Sequence, residues 1–437
     1  MNREGSPQFR LGEPSICVDI RKGFEGFNVI ALLKLVLVFA AIVLLLSRKW
    51  NLGLVLVLAS LAVALLFSYP LGLAARDALW TTGDWLTLRL ALVVVLIMTL
   101  GEMLRQTASM KGMVEALEAL IANGRIVIAA LPALIGFLPM VGGAMFSAPM
   151  VDEVGDRLEA NGARKTFVNY WFRHIWEPIF PIYPSMMLGA ALLGLTTTQL
   201  ASASWPLVIA SVFGGLFFGL WGLPRQGVSP PEPTTRAHSL RTLAASTWPI
   251  VLVIVLSLAL PIPEELTLVA SLLVTIGLMM KVKRIKPGEI WTIWRERIPW
   301  QTVAVIFGAL IFRRVLESSG AVVAVSDALT YLHVPVIAVT FGVPFIAGLL
   351  TGLMAAAFSI GFPVVIPLVI SNGGLTPGWT IWLFAGGFVG TMLSPVHLCL
   401  ALTRVYFKTE WGPIYRLLAP AALMTTTAAA VVLLLRG

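Results

Sequence analysis

The chain has 437 residues, of which 58% are hydrophobic and only 12% charged, and its mean hydropathy is +0.89. Soluble domains carry about 25% charged residues, so these figures exclude a water-soluble globular protein and point to lipid as the main solvent. The net charge of +9 lies mostly in short loops between apolar stretches, where the positive-inside rule places basic residues, and it implies no nucleic-acid partner.

Apolar segments near the roughly 18–20 residues that cross a bilayer recur along the chain. In chain order the sequence predicts spanning helices over about 29–46, 51–69, 86–104, 167–195, 203–223, 244–260, 265–281, 300–317, 378–403 and 413–435. Residues 1–28, polar and mixed in charge, read as an N-terminal tail without the plan of a secretory signal. Two further apolar stretches, 125–150 and 334–371, are too dense in helix breakers for single spans. The first contains Pro132, Gly136, Pro139, Gly142, Gly143 and Pro149. The second contains Pro335, Pro344, Gly348, Gly352, Gly361, Pro363 and Pro367. Both read as re-entrant hairpins, pairs of half-helices that return to the side they entered.

Charge placement supports this reading. The most basic loop, Lys281 to Arg297, is expected in the cytoplasm. Counting spans outward from it puts Arg48–Lys49, the Arg105–Lys165 loops, Arg225–Arg241 and Arg404–Arg416 on the same side. The opposite loops near 196–204, 261–265, 318–333 and 371–378 hold no Lys or Arg. Arg76, Arg436 and the tail residues Arg10, Arg21 and Lys22 do not fit the pattern.

The fold class expected is therefore an all-α polytopic membrane protein with two inverted-topology repeats. Each repeat holds about five spanning helices, one re-entrant hairpin and one broken helix. The first repeat covers 29–223, a Pro-rich cytoplasmic linker covers 224–243, and the second repeat covers 244–437. An offset of 212 residues pairs Pro132 with Pro344, Gly136 with Gly348, Phe146 with Phe358 and Ser147 with Ser359 without a gap. A second, weaker alignment sets Glu177-Pro178 against Ser394-Pro395.

Inverted repeats with broken helices hold their binding site near the bilayer midplane, because backbone groups freed in lipid are tolerated only where they line a cavity or meet a ligand. Four breaks point there. At the hairpin tips, Gly142 and Gly143 permit tight turns and close approach, while Ser147 and Ser359 offer matched hydroxyls, the alternative for each being a bond back to its own helix. In the third break, Pro178, Pro181 and Pro184 interrupt a span that carries Glu177 about 15 Å deep at roughly 1.5 Å per residue. An ionisable residue at that depth is a functional candidate, the alternative being a structural pair with Arg173, one turn away, or with His174. The fourth break, Gly390 to Cys399, holds Thr391, Ser394, Pro395 and His397, and imidazole titrates near neutrality. The cysteines, Cys17 and Cys399, form no disulfide framework, and Cys399 reads as a small packing residue.

The segments GFLPMVGGAMFSAPMV, WEPIFPIYP and MLSPVHLCLALTRVYF, with the order of spans and hairpins, resemble the ion-transporter superfamily. That group includes divalent-anion symporters, citrate, gluconate and arsenite carriers, and some sodium–proton antiporters. The segments are most similar to a prokaryotic membrane-protein branch of it to which no substrate is assigned. The resemblance covers essentially the whole chain and implies elevator-type alternating access, a homodimer and a prokaryotic inner-membrane location. It departs from the dicarboxylate symporters, whose Ser-Asn-Thr hairpin motifs are absent here, so dicarboxylate specificity and sodium coupling do not carry over.

The expected function is an ion-coupled secondary transporter for a small organic or inorganic anion, driven by H+ or Na+ because no nucleotide-binding G-x-x-x-x-G-K-[ST] loop occurs. A cation antiporter is the alternative. An intramembrane enzyme is disfavoured, since neither H-E-x-x-H nor G-x-S-x-G is present. No cofactor or resident metal is expected, only transported Na+.

Overall fold

The computed structural model describes residues 27–437 except 108, 122, 138–142, 225–234, 261–263, 333 and 372. Most of the predicted tail, the centre of the linker and Gly142 therefore lie outside the described residues. Those described form an all-helical polytopic membrane protein. Seven helices are long and apolar enough to cross a bilayer, or eight if Pro287–Arg297 and Trp300–Ser318, bent by 65°, count as one broken span.

The first half runs α1 (Phe27–Ser47), α2 (Leu52–Leu66), α3 (Leu71–Gly83), α4 (Trp85–Gln106) and α5 (Ser109–Leu120). It continues with α6 (Gly124–Gly136), α7 (Ala144–Arg157), α8 (Gly162–His174), α9 (Pro184–Leu193) and α10 (Thr197–Gly214), which ends in a π-helical turn over Gly215–Leu220. The second half runs α11 (Arg236–Ala259), α12 (Glu264–Lys283), α13 (Pro287–Thr292) with a π-helical turn over Ile293–Arg297, α14 (Trp300–Ser318) and α15 (Ala321–Tyr331). Then come α16 (Val336–Thr351), α17 (Met354–Ser371), α18 (Pro377–Met392), α19 (Leu398–Tyr406) and α20 (Trp411–Arg436).

Local chemistry sets many of these boundaries. Asn51, Asp84, Asn161 and Thr376 each cap a helix by accepting from a backbone N–H two or three residues on, satisfying donors with no partner inside the helix. Thr196 and Gln199 close a full capping box on α10. Prolines 178, 181 and 184 lack the N–H a helix needs, and the chain leaves helical geometry between α8 and α9 at that stretch. Pro395 sits in the corresponding gap between α18 and α19.

Helices α3, α5, α13 and α15 fall where the sequence reading had loops. They are short and carry polar residues, so a search for long apolar segments passes over them. Three of them dock on a spanning helix, α5 on α11, α15 on α1 and α3 on α14, while α13 stays exposed and only the π-helical turn after it packs on α4.

These contacts come in exchangeable pairs. Helix α2 packs on α14 as α4 packs on α12, α6 on α8 as α16 on α18, α7 on α19 as α17 on α9, and α8 on α20 as α18 on α10. The helices thereby sort into two groups. One contains α1–α5 with α11–α15; the other contains the hairpins α6–α7 and α16–α17, the broken helices, α10 and α20.

Burial differs sharply between individual helices. Ile30, Leu33, Val36, Leu37 and Leu44 on α1 are exposed apolar side chains, as expected of a surface that faces lipid rather than water. Helix α8 is the opposite case, polar in composition yet buried on every face: Lys165, Thr166, Asn169, Tyr170, Arg173 and His174 are all covered. Among the outer charges, Arg313 bonds Glu317 at 2.8 Å and the Ala191 carbonyl at 2.9 Å, and Arg314 lies over Trp80.

Candidate functional site

Polar side chains inside a membrane bundle are costly unless they meet each other or a ligand, so the buried polar helix α8 marks where to look. Its C-terminal end opens into a cavity of about 240 Å3. Arg173, His174 and Glu177 line one wall, at the end of α8 and the start of its break. The opposite wall is made by Thr391, His397 and Cys399, from the break between α18 and α19. The tip of the second hairpin, Gly352–Ala355, and the first residues of α9, Pro184 and Ser185, also line it, as do Met98 of α4 and Thr302 of α14.

Hydrogen bonds tie each break to the hairpin of its own half. Trp176 donates to the Ala133 carbonyl at 2.9 Å, and the Tyr183 hydroxyl donates to the Gly136 carbonyl. In the second half the Ser394 hydroxyl donates to the Leu349 carbonyl at 2.6 Å. Backbone approaches match as well. A Cβ on Gly136 would lie 2.3 Å from the Arg173 carbonyl oxygen, and one on Gly348 would lie 2.8 Å from the Gly387 carbonyl oxygen. Gly352 closes α16 with φ of +66°, and a Cβ there would meet the backbone nitrogen of His397 at 2.7 Å.

Arg173 is buried and donates to the Ile135 carbonyl at 3.1 Å. Its guanidinium lies so close to Gly143 that a Cβ there would sit 2.3 Å from Nη2. Gly143 thus contacts the arginine rather than the cavity.

The ring of His174 is oriented by its own helix. Its Nδ1 lies 2.7 Å from the Tyr170 carbonyl, and since a carbonyl only accepts, Nδ1 carries a proton and Nε2 points onward. The His174 and His397 rings meet edge to face with centroids 4.9 Å apart, and Tyr170 packs against both. Glu177 Oε2, Thr391 Oγ1 and His397 Nδ1 are buried atoms without a hydrogen-bond partner. Native proteins leave few such atoms, and these three line one cavity.

The residues singled out from sequence separate accordingly. Arg173, His174, Glu177, Thr391 and His397 come together at the cavity. Ser147 and Ser359 do not: Ser147 donates to the Ala144 carbonyl at 3.3 Å and Ser359 to the Ala355 carbonyl at 2.6 Å, each on its own helix. Ser394 joins the break to the second hairpin, and Pro178 and Pro395 shape the two breaks.

Three residues were missed. Cys399 lines the cavity instead of merely filling space, and its spacing in His397-Leu-Cys399 was the available signal. Tyr183 lines it too, and nothing in the sequence set it apart from other tyrosines. Asn169, fully buried, bridges the Ala144 carbonyl at 2.9 Å and the Thr403 hydroxyl at 3.2 Å, and so joins the two halves.

The chain is thus a multi-pass helical membrane protein with a cavity between two interrupted helices, lined in part by Arg173, His174, Glu177 and His397. It belongs to the family described as "Protein of unknown function (DUF401)", which it matches over residues 31–435. No curated protein matches it.

Proposed function

We infer that the protein is an ion-coupled secondary transporter of a small organic or inorganic anion, a member of the ion-transporter superfamily in a prokaryotic inner membrane. The observation that carries this reading is the cavity itself, where both helix breaks meet around Arg173. Helices α9, α17 and α19 all begin at its wall. A helix N-terminus presents unpaired N–H groups and the positive end of its dipole, so three of them beside a guanidinium favour an anion.

The repeated element order and the exchangeable helix contacts support two inverted repeats related by a pseudo-two-fold axis in the membrane plane. On this reading α6–α7 and α16–α17 are re-entrant hairpins. The group that holds them moves as an elevator against the group of α1–α5 and α11–α15, which forms the static scaffold and the homodimer contact. Glu177 takes up and releases the coupling proton, with His397 beside it on the opposite wall. An ionised Glu177 would repel the anion, so proton uptake there and anion entry favour each other.

Cation antiport is the second reading, favoured by the buried, unpartnered Oε2 of Glu177, which can face a cation directly. One experiment separates the two. Current is recorded from proteoliposomes given carboxylates, sugar acids and inorganic oxyanions in turn, with sodium and pH varied independently. A current evoked by one anion and abolished in Glu177→Gln supports the anion carrier. Silence toward every anion, with charge or proton movement on a sodium gradient alone, supports the antiporter; full coupled uptake in Glu177→Gln removes the proton-coupling role.

A further inference from the structure

One grouping at the cavity has a donor set that anion transport does not call for. His174, His397 and Cys399 bring one ligand atom each to within 4.8 Å of one another, and all three groups are buried. Two imidazoles and a thiol are the donor set of zinc and similar borderline cations, not of sodium or magnesium, which take oxygen ligands. We propose that these three side chains form a binding site for a divalent transition-metal cation of the zinc class, bridging the break after α8 to the break before α19.

Three observations beyond the grouping support a ligand. First, His174 donates its Nδ1 proton to the Tyr170 carbonyl at 2.7 Å, the outer-sphere bond that metal-ligating histidines commonly make, and it leaves the Nε2 lone pair directed away from its own backbone. Secondly, His397 Nδ1 is buried with no hydrogen-bond partner, a polar atom kept from water at a cost that a ligand on this imidazole would offset. Thirdly, Glu177 Oε2, also buried and unpartnered, lines the same cavity and can supply a fourth donor or hold a bound water.

The geometry needs little adjustment. Zn–N bonds of about 2.0–2.1 Å and Zn–S bonds of about 2.3 Å place tetrahedral ligand atoms roughly 3.3–3.6 Å apart. The 4.8 Å limit here exceeds that by about 1.2–1.5 Å, within reach of side-chain rotations. Cys399 binds as thiolate and gives its proton to water. Its charge and that of Glu177 balance the dication against Arg173 in the same cavity. The site does not depend on which ion the protein carries.

The test uses full-length protein purified in detergent with Cys17→Ser, which leaves Cys399 as the only thiol. Cobalt(II) is titrated in and displaced with zinc. The expected result is a thiolate-to-cobalt charge-transfer band with the intense visible bands of tetrahedral cobalt, lost on adding zinc. In the same protein, zinc slows alkylation of Cys399. His174→Gln and His397→Gln should each weaken binding by at least about tenfold, the lower end of what outer-sphere changes alone cost. His238→Gln, an exposed histidine elsewhere in the chain, should leave it unchanged.

The proposal is overturned if cobalt gives no charge-transfer band and zinc leaves the alkylation rate unaltered. It is equally overturned if both signals persist undiminished in His174→Gln and His397→Gln, or disappear in His238→Gln. The alkylation measurement keeps the native ligand set intact, so it remains decisive even if a histidine variant does not fold.

Discussion

Gly352 joins the tip of the second hairpin to the break that carries His397, and Gly352→Ala tests that junction. The residue has φ of +66° and ψ of +21°, the left-handed region that costs a residue with a Cβ about 1–2 kcal/mol. Reduced freedom of the unfolded chain returns roughly 0.4–1 kcal/mol of this. The conformational effect alone is therefore about 1 kcal/mol. The added methyl would also lie 2.7 Å from the His397 nitrogen and 2.8 Å from its Cα. These are backbone atoms that cannot rotate away, so the tip must withdraw, at the roughly 1–3 kcal/mol typical of overpacking. Gly320→Ala is the control, because Gly320 has φ of +71° and nothing within 4 Å of its Cβ position. Both variants are unfolded by titration with a denaturing detergent in mixed micelles. Gly320→Ala should lose about 1 kcal/mol and Gly352→Ala about 2–4 kcal/mol, using the same sum of effects. Equal losses in the two variants would show that the hairpin tip does not press on the His397 break, and the reasoning would fail.

Ser147→Ala and Ser359→Ala should leave anion-evoked current intact, because both hydroxyls bond carbonyls of their own helices; loss of current in either would return that serine to the binding site. Ser394→Ala removes the 2.6 Å bond to the Leu349 carbonyl and should cost about 0.5–1.5 kcal/mol in the same detergent titration. Lys165, buried at the start of α8, holds Asp152 and Asp156 of α7 at 2.6 Å each. Lys165→Met should cost about 1–2 kcal/mol, since both carboxylates are substantially exposed and partly screened. Burial pulls the Lys165 ammonium toward losing its proton, but the two aspartates outweigh it and raise its pKa above the ordinary 10.5. A pKa raised on folding means that this contribution is complete below pH 10.5 and is lost as pH climbs through the folded-state value. Wild type should therefore lose an alkaline stability step that Lys165→Met lacks, measured as the unfolding midpoint against pH.

Much of the architecture was legible because lipid imposes a strong, local rule: every backbone polar group must be satisfied within the segment that carries it. Length and hydropathy thus located the long helices, and Pro178, Pro181, Pro184 and Pro395 located the breaks, since a missing N–H is a property of the residue itself. The same rule made Glu177 stand out. Helices α3, α5 and α15 were illegible because they dock on distant helices, which no local pattern records.

The cavity divides in the same way. Sequence by itself determined that this is an all-helical membrane protein with interrupted helices and rare ionisable groups within them, because apolar length, helix breakers and buried charge are properties of short segments. Only the tertiary structure decided which of those groups meet. It turned Ser147 and Ser359 onto their own backbones and set Cys399 beside two histidines more than 200 residues apart in number, His174 and His397. Those outcomes depend on how α8, α19 and the second hairpin pack together, and packing between segments distant in sequence leaves no trace in either segment alone.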